Sequence, residues 1–455
     1  DLMSLTCAIG DPELITERLV QTQGLVLESL RDQVPVQPIP DGTVTVGYVR
    51  YIEYDETSGR WTARYGAAIY APGKPPAWCR LATDTQLRGL VDALFAHMAF
   101  EQAVDDGKSP TAPLRKLEPV LRRIHDLIWK PIADRLGPDV DHVAVCPDGL
   151  ISAIPFAALL DGEMMLCEKP VPMSFFTTVR DVAAKTSARK SGASLACGES
   201  VFGAGGAAES AGLKWTPPYT LSLIDALREM GDLPGIKREI EALHSMFETA
   251  GMPLETEMDA MDERAIRSRV RSPRILHFAS HAFVLQEEPG KPEGKRPTLD
   301  RTSSLERTGI IVGRVDPLID GLKSGNLPNA AEDNILFTKE IAELELSETW
   351  LVTLSACSTG RGEQVSGEGV IGLQRGFFAA GAQHIAMTLW PLSDQYAPEF
   401  VAKFYGNVFT TGRPDTAMWI TQRDELLRLR KSGASLGRAV WLAGAWAVSS
   451  QSRSW

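Results

Sequence analysis

The sequence has no long apolar run, no Cys-x-x-Cys pair and no basic excess, and each lack removes a class of function. Without roughly 20 consecutive apolar residues there is no membrane-spanning helix to propose, and no membrane partner is expected. The six cysteines, at 7, 79, 146, 167, 197 and 357, have neither zinc-site spacing nor the density of a disulfide framework. Scattered thiols in a chain of this size point to a reducing, cytoplasmic setting. A formal net charge of -11 argues against direct nucleic-acid binding, although it suits a protein that takes basic segments as substrates. The opening Asp1-Leu2-Met3-Ser4 lacks the basic and long apolar segments of a secretory signal, and a start at Asp suggests a fragment or processed chain with a region upstream. The glycine-rich run at 203–208 lacks the Lys-Ser/Thr ending of a phosphate-binding loop, and no G-x-S-x-G elbow occurs. No metal or organic cofactor is called for.

What is present is a chain of 455 residues, 44% hydrophobic and 23% charged, long enough for two or three globular domains. Residues 1–34 read as an amphipathic helix or helix pair, the possible end of a helical repeat array, closed by Pro35, Pro38 and Pro40. Residues 41–183 alternate strand and helix patterns: strands at 43–51 and 61–65, helices at 84–104 and 114–136, then a strand and turn at 142–150. The Lys/Ser/Ala/Gly-rich stretch 184–194 is the natural boundary before a second half at 195–455. That half holds helices near 236–250, 260–271 and 338–346, a short strand at 310–312, and helices to the end after a strand at 384–390. The Pro/Gly-rich, charged segment 286–307 reads as a solvated insertion or, more sharply, an activation loop that orders when a partner docks.

Two runs stand out. Leu351-Val352-Thr353-Leu354-Ser355-Ala356-Cys357-Ser358-Thr359-Gly360 reads as a buried parallel strand ending in small residues. Ile275-Leu276-His277-Phe278-Ala279-Ser280-His281-Ala282 has the same design, its apolar run ending in a histidine followed by a residue with almost no side chain. In open α/β sheets chemistry collects just beyond the carboxyl ends of strands, so neighbouring runs would set His281 against Cys357. A lone thiol is only a few per cent thiolate near neutral pH; an adjacent imidazole makes it a useful nucleophile. Cys357 alone also suits a small buried core residue. His277, inside its run, reads as a satisfied core histidine; Cys146 and Cys167 read as packing residues, and His384 has no assigned role. The glycines at 369, 372 and 376 share one helix face, expected to pack closely on the sheet.

The paired runs resemble the CHAT family of caspase-like cysteine peptidases, as found in bacterial TPR-CHAT defence proteases. Gly367-Glu368-Gly369, Ala380-Gly381-Ala382, Leu389-Trp390-Pro391-Leu392-Ser393-Asp394 and the upstream Pro147-Asp148-Gly149-Leu150 continue the pattern in order. The C-terminal pattern is matched only loosely by Trp441-Leu442-Ala443-Gly444-Ala445-Trp446. The resemblance implies an α/β, caspase-haemoglobinase-like sheet with flanking helices, a degenerate first half and a catalytic second half. It implies His281 as catalytic histidine, Cys357 as nucleophile, and the backbone N–H groups of Ala282 and Cys357 as oxyanion donors; Ala282 departs from the usual glycine. Asp394 sits where separases carry an aspartate that receives a basic P1 side chain; as Ser393-Asp394 precedes a helical pattern, helix capping is the competing explanation. The expected activity is cleavage of a specific protein substrate, switched on by a regulatory protein or ribonucleoprotein partner or by an upstream domain. By analogy the setting is antiphage defence, associated with CRISPR effectors or gasdermins. A catalytically silent scaffold and a Cys357 acyltransferase or esterase are the rival readings.

Overall fold

The computed structural model describes residues 39–55, 59–113, 115–183, 192–202, 223, 227, 230–258, 262–284, 308–324, 333–358 and 368–451. The proposed N-terminal helical segment, the glycine-rich run, the 286–307 insertion and Gly367 lie outside the described residues. The chain divides into two units, Asp1–Ser187 with Asn407–Trp455, and Ala188–Gly406. The contacts thus group the last residues with the N-terminal ones.

In the first unit, β1 (Thr43–Asp55), β2 (Arg60–Tyr70) and β3 (Ala77–Thr83) form an antiparallel meander. On its other edge β1 pairs in parallel with β4 (His142–Cys146). The small hairpin β5 (Leu160–Asp161) and β6 (Met164–Met165) precedes β7 (Met173–Phe176), which runs parallel between β4 and the C-terminal β15 (Trp446–Ser450). The helices are α1 (Asp84–Asp105), α2 (Leu117–Ile128), α3 (Lys130–Ala133), α4 (Val179–Ala183), α11 (Pro414–Lys431) and α12 (Leu436–Ala443). A capping box fixes the step from β3 into α1: the Gln86 amide donates to Thr83 Oγ1 at 3.2 Å, and the Thr83 amide to Gln86 Oε1 at 3.0 Å.

The Pro147-Asp148-Gly149-Leu150 motif serves this unit as a clasp. Asp148 accepts from the Arg50 amide at 2.7 Å, and the Leu150 amide donates to Tyr65 Oη at 3.0 Å. Gly149 turns the chain with φ +55°, and a Cβ there would stand 2.7 Å from that same Tyr65 oxygen.

The second unit is a mostly parallel sheet. Its strands are β8 (Ser194–Gly198), β9 (Leu254–Met258), β10 (Ile275–Val284), β11 (Thr308–Ile311), β12 (Ile335–Phe337), β13 (Leu351–Ser358) and β14 (His384–Thr388). Parallel pairing runs β9-β8-β10-β13-β14, and β11 and β12 continue antiparallel from the end of β10. The helices are α5 (Gly235–Thr249), α6 (Glu263–Arg269), α7 (Asp316–Ser324), α8 (Thr338–Ile341), α9 (Glu368–Ala379) and α10 (Ala397–Thr411), within which the division between units falls. β10 is buried at nine of its ten positions, the pattern of a parallel strand covered on both faces.

One edge of β10 pairs along its length with β13, but the other changes partner. Leu276–Ala279 pair with β8 and Ala282–Val284 with β11, so the ladder is interrupted around Ser280 and His281. Ser280 and His281 thus lie just beyond the carboxyl end of the neighbouring strand β8, the end of a parallel sheet at which sites collect. At Gly376 on α9 a Cβ would meet the Thr338 carbonyl at 2.8 Å and Ile341 at 3.2 Å, so there the close neighbour is α8.

Candidate active site

The parallel ladder sets His281 in register with Cys357, His277 with Thr353 and Ala279 with Ser355. Strand alternation puts residues 277, 279 and 281 on one face of β10, with 353, 355 and 357 beside them on β13. The backbone of Cys357 is thus one strand spacing, about 4.8 Å, from that of His281. The Cys357 side chain lies outside the described residues.

His281 is 3% exposed. Its Nε2 lies 2.7 Å from the Gly231 carbonyl oxygen, which can only accept, so Nε2 carries the proton and Nδ1 has the lone pair. Nδ1 is buried and has no hydrogen-bond partner among the described residues. Burial pushes the imidazole down to about 4, against the smaller opposing effects of the Gly231 hydrogen bond and the Asp232 charge. The ring is therefore neutral at physiological pH, with the Nδ1 lone pair unpartnered among the described residues and its protonation disfavoured by burial. Phe202 packs against it, ring centroids 4.5 Å apart. The segment holding the Gly231 carbonyl is itself tied down: Asp232 accepts from the Phe202 amide at 3.2 Å, and the Leu233 amide donates to the Ser200 carbonyl at 3.0 Å.

Ala282 is not at a strand end. β10 runs on to Val284, and Ala282 is in register with both Ser358 and Ile310. Asp394 is half-buried, and its Oδ2 accepts from the Gly235 amide at 2.6 Å. It therefore meets the N-terminus of α5, a helix distant in sequence; at the start of α10 it is the Ser393 carbonyl that accepts, from the Tyr396 and Ala397 amides. Desolvation raises the Asp394 carboxyl from its ordinary value despite the Gly235 hydrogen bond and the Arg238 charge, and Glu239 adds to the rise.

Beneath the 281/357 row lies a polar network. His277 Nε2 lies 2.9 Å from Glu239 Oε1, and Ser355 Oγ donates to Glu239 Oε2 at 3.0 Å. His277 Nδ1 is 3.3 Å from Tyr405 Oη, which donates to Thr353 Oγ1 at 2.9 Å. His277 is thus a buried, doubly partnered histidine. Cys146 and Cys167 are buried; burial pushes the Cys146 thiol well up and the Cys167 thiol to about 12, which leaves both as protonated packing groups. His384 opens β14 and is buried, its ring 6.0 Å from that of Trp350.

Sequence reasoning missed two participants. The Gly231 carbonyl is a backbone group in a stretch with no motif, and carries no compositional signal. Glu239 looks like one more charge on an amphipathic helix. Its signal was spacing: it shares the inward stripe of Ile236, Ile240, Leu243 and Phe247.

The sequence matches the CHAT domain over residues 118–450. The chain belongs to the CHAT domain family. Two curated relatives are similar over part of this CHAT chain. Tetratricopeptide repeat protein 28 of Mus musculus is 27% identical over 182 residues, 38% of this chain and 6% of that protein. Its Homo sapiens counterpart is 24% identical over 160 residues, 34% of this chain and 6% of that protein. The matched part of the chain thus spans only a small fraction of these relatives. Among solved structures, the Saccharomyces cerevisiae separase–securin complex is similar with a TM-score of 0.48 and 8% identity, covering 96% of this chain and 31% of that one. The Arg-specific cysteine proteinase gingipain R is similar with a TM-score of 0.37 and 10% identity, covering 73% and 67%. Among the described residues of this CHAT chain, no group of three or more His, Cys, Asp or Glu could hold a metal ion, and no helix is long and apolar enough to cross a membrane.

Proposed function

We propose that the chain is a cysteine endopeptidase that hydrolyses peptide bonds through a His281/Cys357 dyad. The observation that carries this reading is the register of His281 with Cys357, together with the state of the imidazole: Nε2–H committed to Gly231, Nδ1 without a partner among the described residues. Membership of the CHAT family supports it.

In this mechanism Cys357 Sγ attacks the scissile carbonyl carbon as its proton passes to His281 Nδ1. The carbonyl π electrons move onto oxygen, and the backbone N–H groups of Ala282 and Cys357 stabilise that oxyanion. Each such donor is typically worth about 2.7–4 kcal/mol of barrier. Collapse of the tetrahedral species breaks the C–N bond, and imidazolium His281 gives its proton to the leaving amine. A thioester remains. Water, deprotonated by His281, attacks it and releases the acid product and the thiol. A neutral resting imidazole leaves the Nδ1 lone pair for the thiol proton, and the negative charge developing on Cys357 Sγ would offset the burial that disfavours protonation of His281.

Asp394 would receive a basic P1 side chain. Its Oδ2 is engaged by Gly235, so a P1 guanidinium or ammonium would approach through the remaining acceptor capacity of the carboxylate. A cytoplasmic endopeptidase has to be restrained, which motivates activation by a regulatory protein or ribonucleoprotein partner or an upstream domain. The resemblance to CHAT proteases suggests antiphage defence, alongside CRISPR effectors or gasdermins, as the setting.

The test is digestion of a peptide library by wild type, Cys357→Ala and His281→Ala, with and without candidate partners. Cleavage after Arg or Lys that vanishes in both variants is the expected result. Silence of the wild type with every partner would overturn the peptidase reading for those conditions and favour a CHAT-fold scaffold. Turnover of small esters without peptide cleavage would favour an acyl-transfer enzyme.

A further inference from the structure

Glu239 is 2% exposed and lies in the apolar stripe of α5 between Ile236, Ile240 and Leu243. A buried carboxylate costs several kcal/mol unless it is fully paired, and an apolar residue at such a position commonly serves packing as well or better. Its bonds show what this one accomplishes. One oxygen engages His277 on β10 and the other Ser355 on β13, so a single side chain crosses between the two strands. Ser355 is two residues before Cys357 on the same strand face, and His277 is four before His281. Between them, Ala279 is opposite Ser355 and brings only a methyl group to the row that the carboxylate crosses. Tyr405 makes a second crossing one row lower, from His277 to Thr353. Burial pushes the Tyr405 hydroxyl well up, so it remains protonated as a donor.

We infer that Glu239 is a positioning residue of the proposed dyad: its carboxylate fastens β10 at His277, two rows below His281, to β13 at Ser355, one row below Cys357. This rests on the peptidase reading. The next row up the strands is only about 7 Å away, so a splay of the strands at Ser355 reaches the dyad with little attenuation. Misplacement of reacting groups by about 1 Å can cost about 100-fold in rate.

The experiment measures the rate at which iodoacetamide alkylates Cys357 at pH 7, followed by mass spectrometry of the Cys357 peptide, in the whole chain. It needs no substrate and no activator. Variants are His281→Ala, Glu239→Ala, Glu239→Gln, Ser355→Ala and the Glu239→Ala/His281→Ala double variant, each shown folded by urea titration. We expect His281→Ala to slow alkylation about tenfold, with Glu239→Ala and Ser355→Ala approaching it and the double variant no slower than His281→Ala alone. Glu239→Gln, which can still bond to both strands, should return the rate to within about threefold of wild type. Wild-type rates in Glu239→Ala and Ser355→Ala, beside a slow His281→Ala, would overturn the positioning role and leave the dyad standing. A Glu239→Gln rate as slow as that of Glu239→Ala would overturn it in favour of a charge effect. A wild-type rate in His281→Ala would sink the dyad, and the inference with it. Should Glu239→Ala not fold, Ser355→Ala, which removes one hydroxyl from a half-buried site, decides alone.

Discussion

The Asp394 carboxylate accepts a hydrogen bond from the Gly235 amide at 2.6 Å, joining the loop after β14 to the first residue of α5. The approach leaves no room for a side chain: a Cβ on Gly235 would stand 2.0 Å from the Asp394 carbonyl oxygen. Because burial raises the Asp394 carboxyl, its ionisation opposes folding. The group contributes stability below its unfolded value, and that contribution is lost as pH rises through the folded one. Asp394→Asn keeps an acceptor for Gly235 and removes the charge. We expect it to melt no earlier than wild type at pH 7.5 by calorimetry. Cleavage after Arg and Lys should nevertheless fall about 100-fold, the loss of a charge-assisted pair. Losing stability and cleavage together would leave Asp394 as a docking residue only.

His281 predicts an acid sensitivity. Its folded value of about 4 lies below the ordinary 6.5, so the unfolded chain takes up a proton that the folded one refuses. Stability is full above about 6.5 and is lost as pH falls toward 4. Between pH 7.5 and 4.5 this residue should account for about 2–3 kcal/mol. His281→Gln can still donate to Gly231 and does not titrate. Urea midpoints at the two pH values should therefore differ less in the variant than in wild type. Equal differences would show that His281 is solvated in the native state.

Gly381, in the Ala380-Gly381-Ala382 motif, has φ +107°, and a Cβ there would be 2.8 Å from Ser347 Cα and 2.9 Å from the Ser347 nitrogen. Both obstacles are backbone, which cannot rotate aside. Gly381→Ala should cost about 2–4 kcal/mol in urea unfolding, because strain and overlap add. A loss under about 1 kcal/mol, the ordinary effect of a surface change, would mean that the turn into β14 relaxes freely.

The runs 275–282 and 351–360 were legible because parallel strands buried on both faces must be nearly continuous in apolar residues, and the polar exceptions then stand out. His281 and Cys357 were singled out that way as candidates, and the structure buries His277 with two partners, as a core histidine. The helices at Asp84–Asp105 and Gly235–Thr249 announced themselves by periodicity. The hairpin β5–β6 and the strands β3, β7, β12 and β15 were missed. Ala77–Thr83 is short and carries Arg80 on an exposed edge, and Trp446–Ser450 ends in serines that resemble a tail. What the sequence could not disclose was pairing at a distance. Nothing local ties Asp394 to Gly235, or Glu239 to both His277 and Ser355. The Gly231 carbonyl belongs to a backbone that every residue shares.

The parallel pairing of β10 with β13 has a further consequence during synthesis. Parallel neighbours cannot be joined by a hairpin, and here the chain passes through β11, α7, β12 and α8 before β13 is made. Until the ribosome has released residues 351–358, β10 has one long edge without the partner that will cover it. An apolar strand edge waiting for a distant partner is the state in which chains associate wrongly. That edge of β10 is covered only when the strand carrying Cys357 docks. A product of translation interrupted before residue 357 lacks Cys357 and with it the proposed dyad.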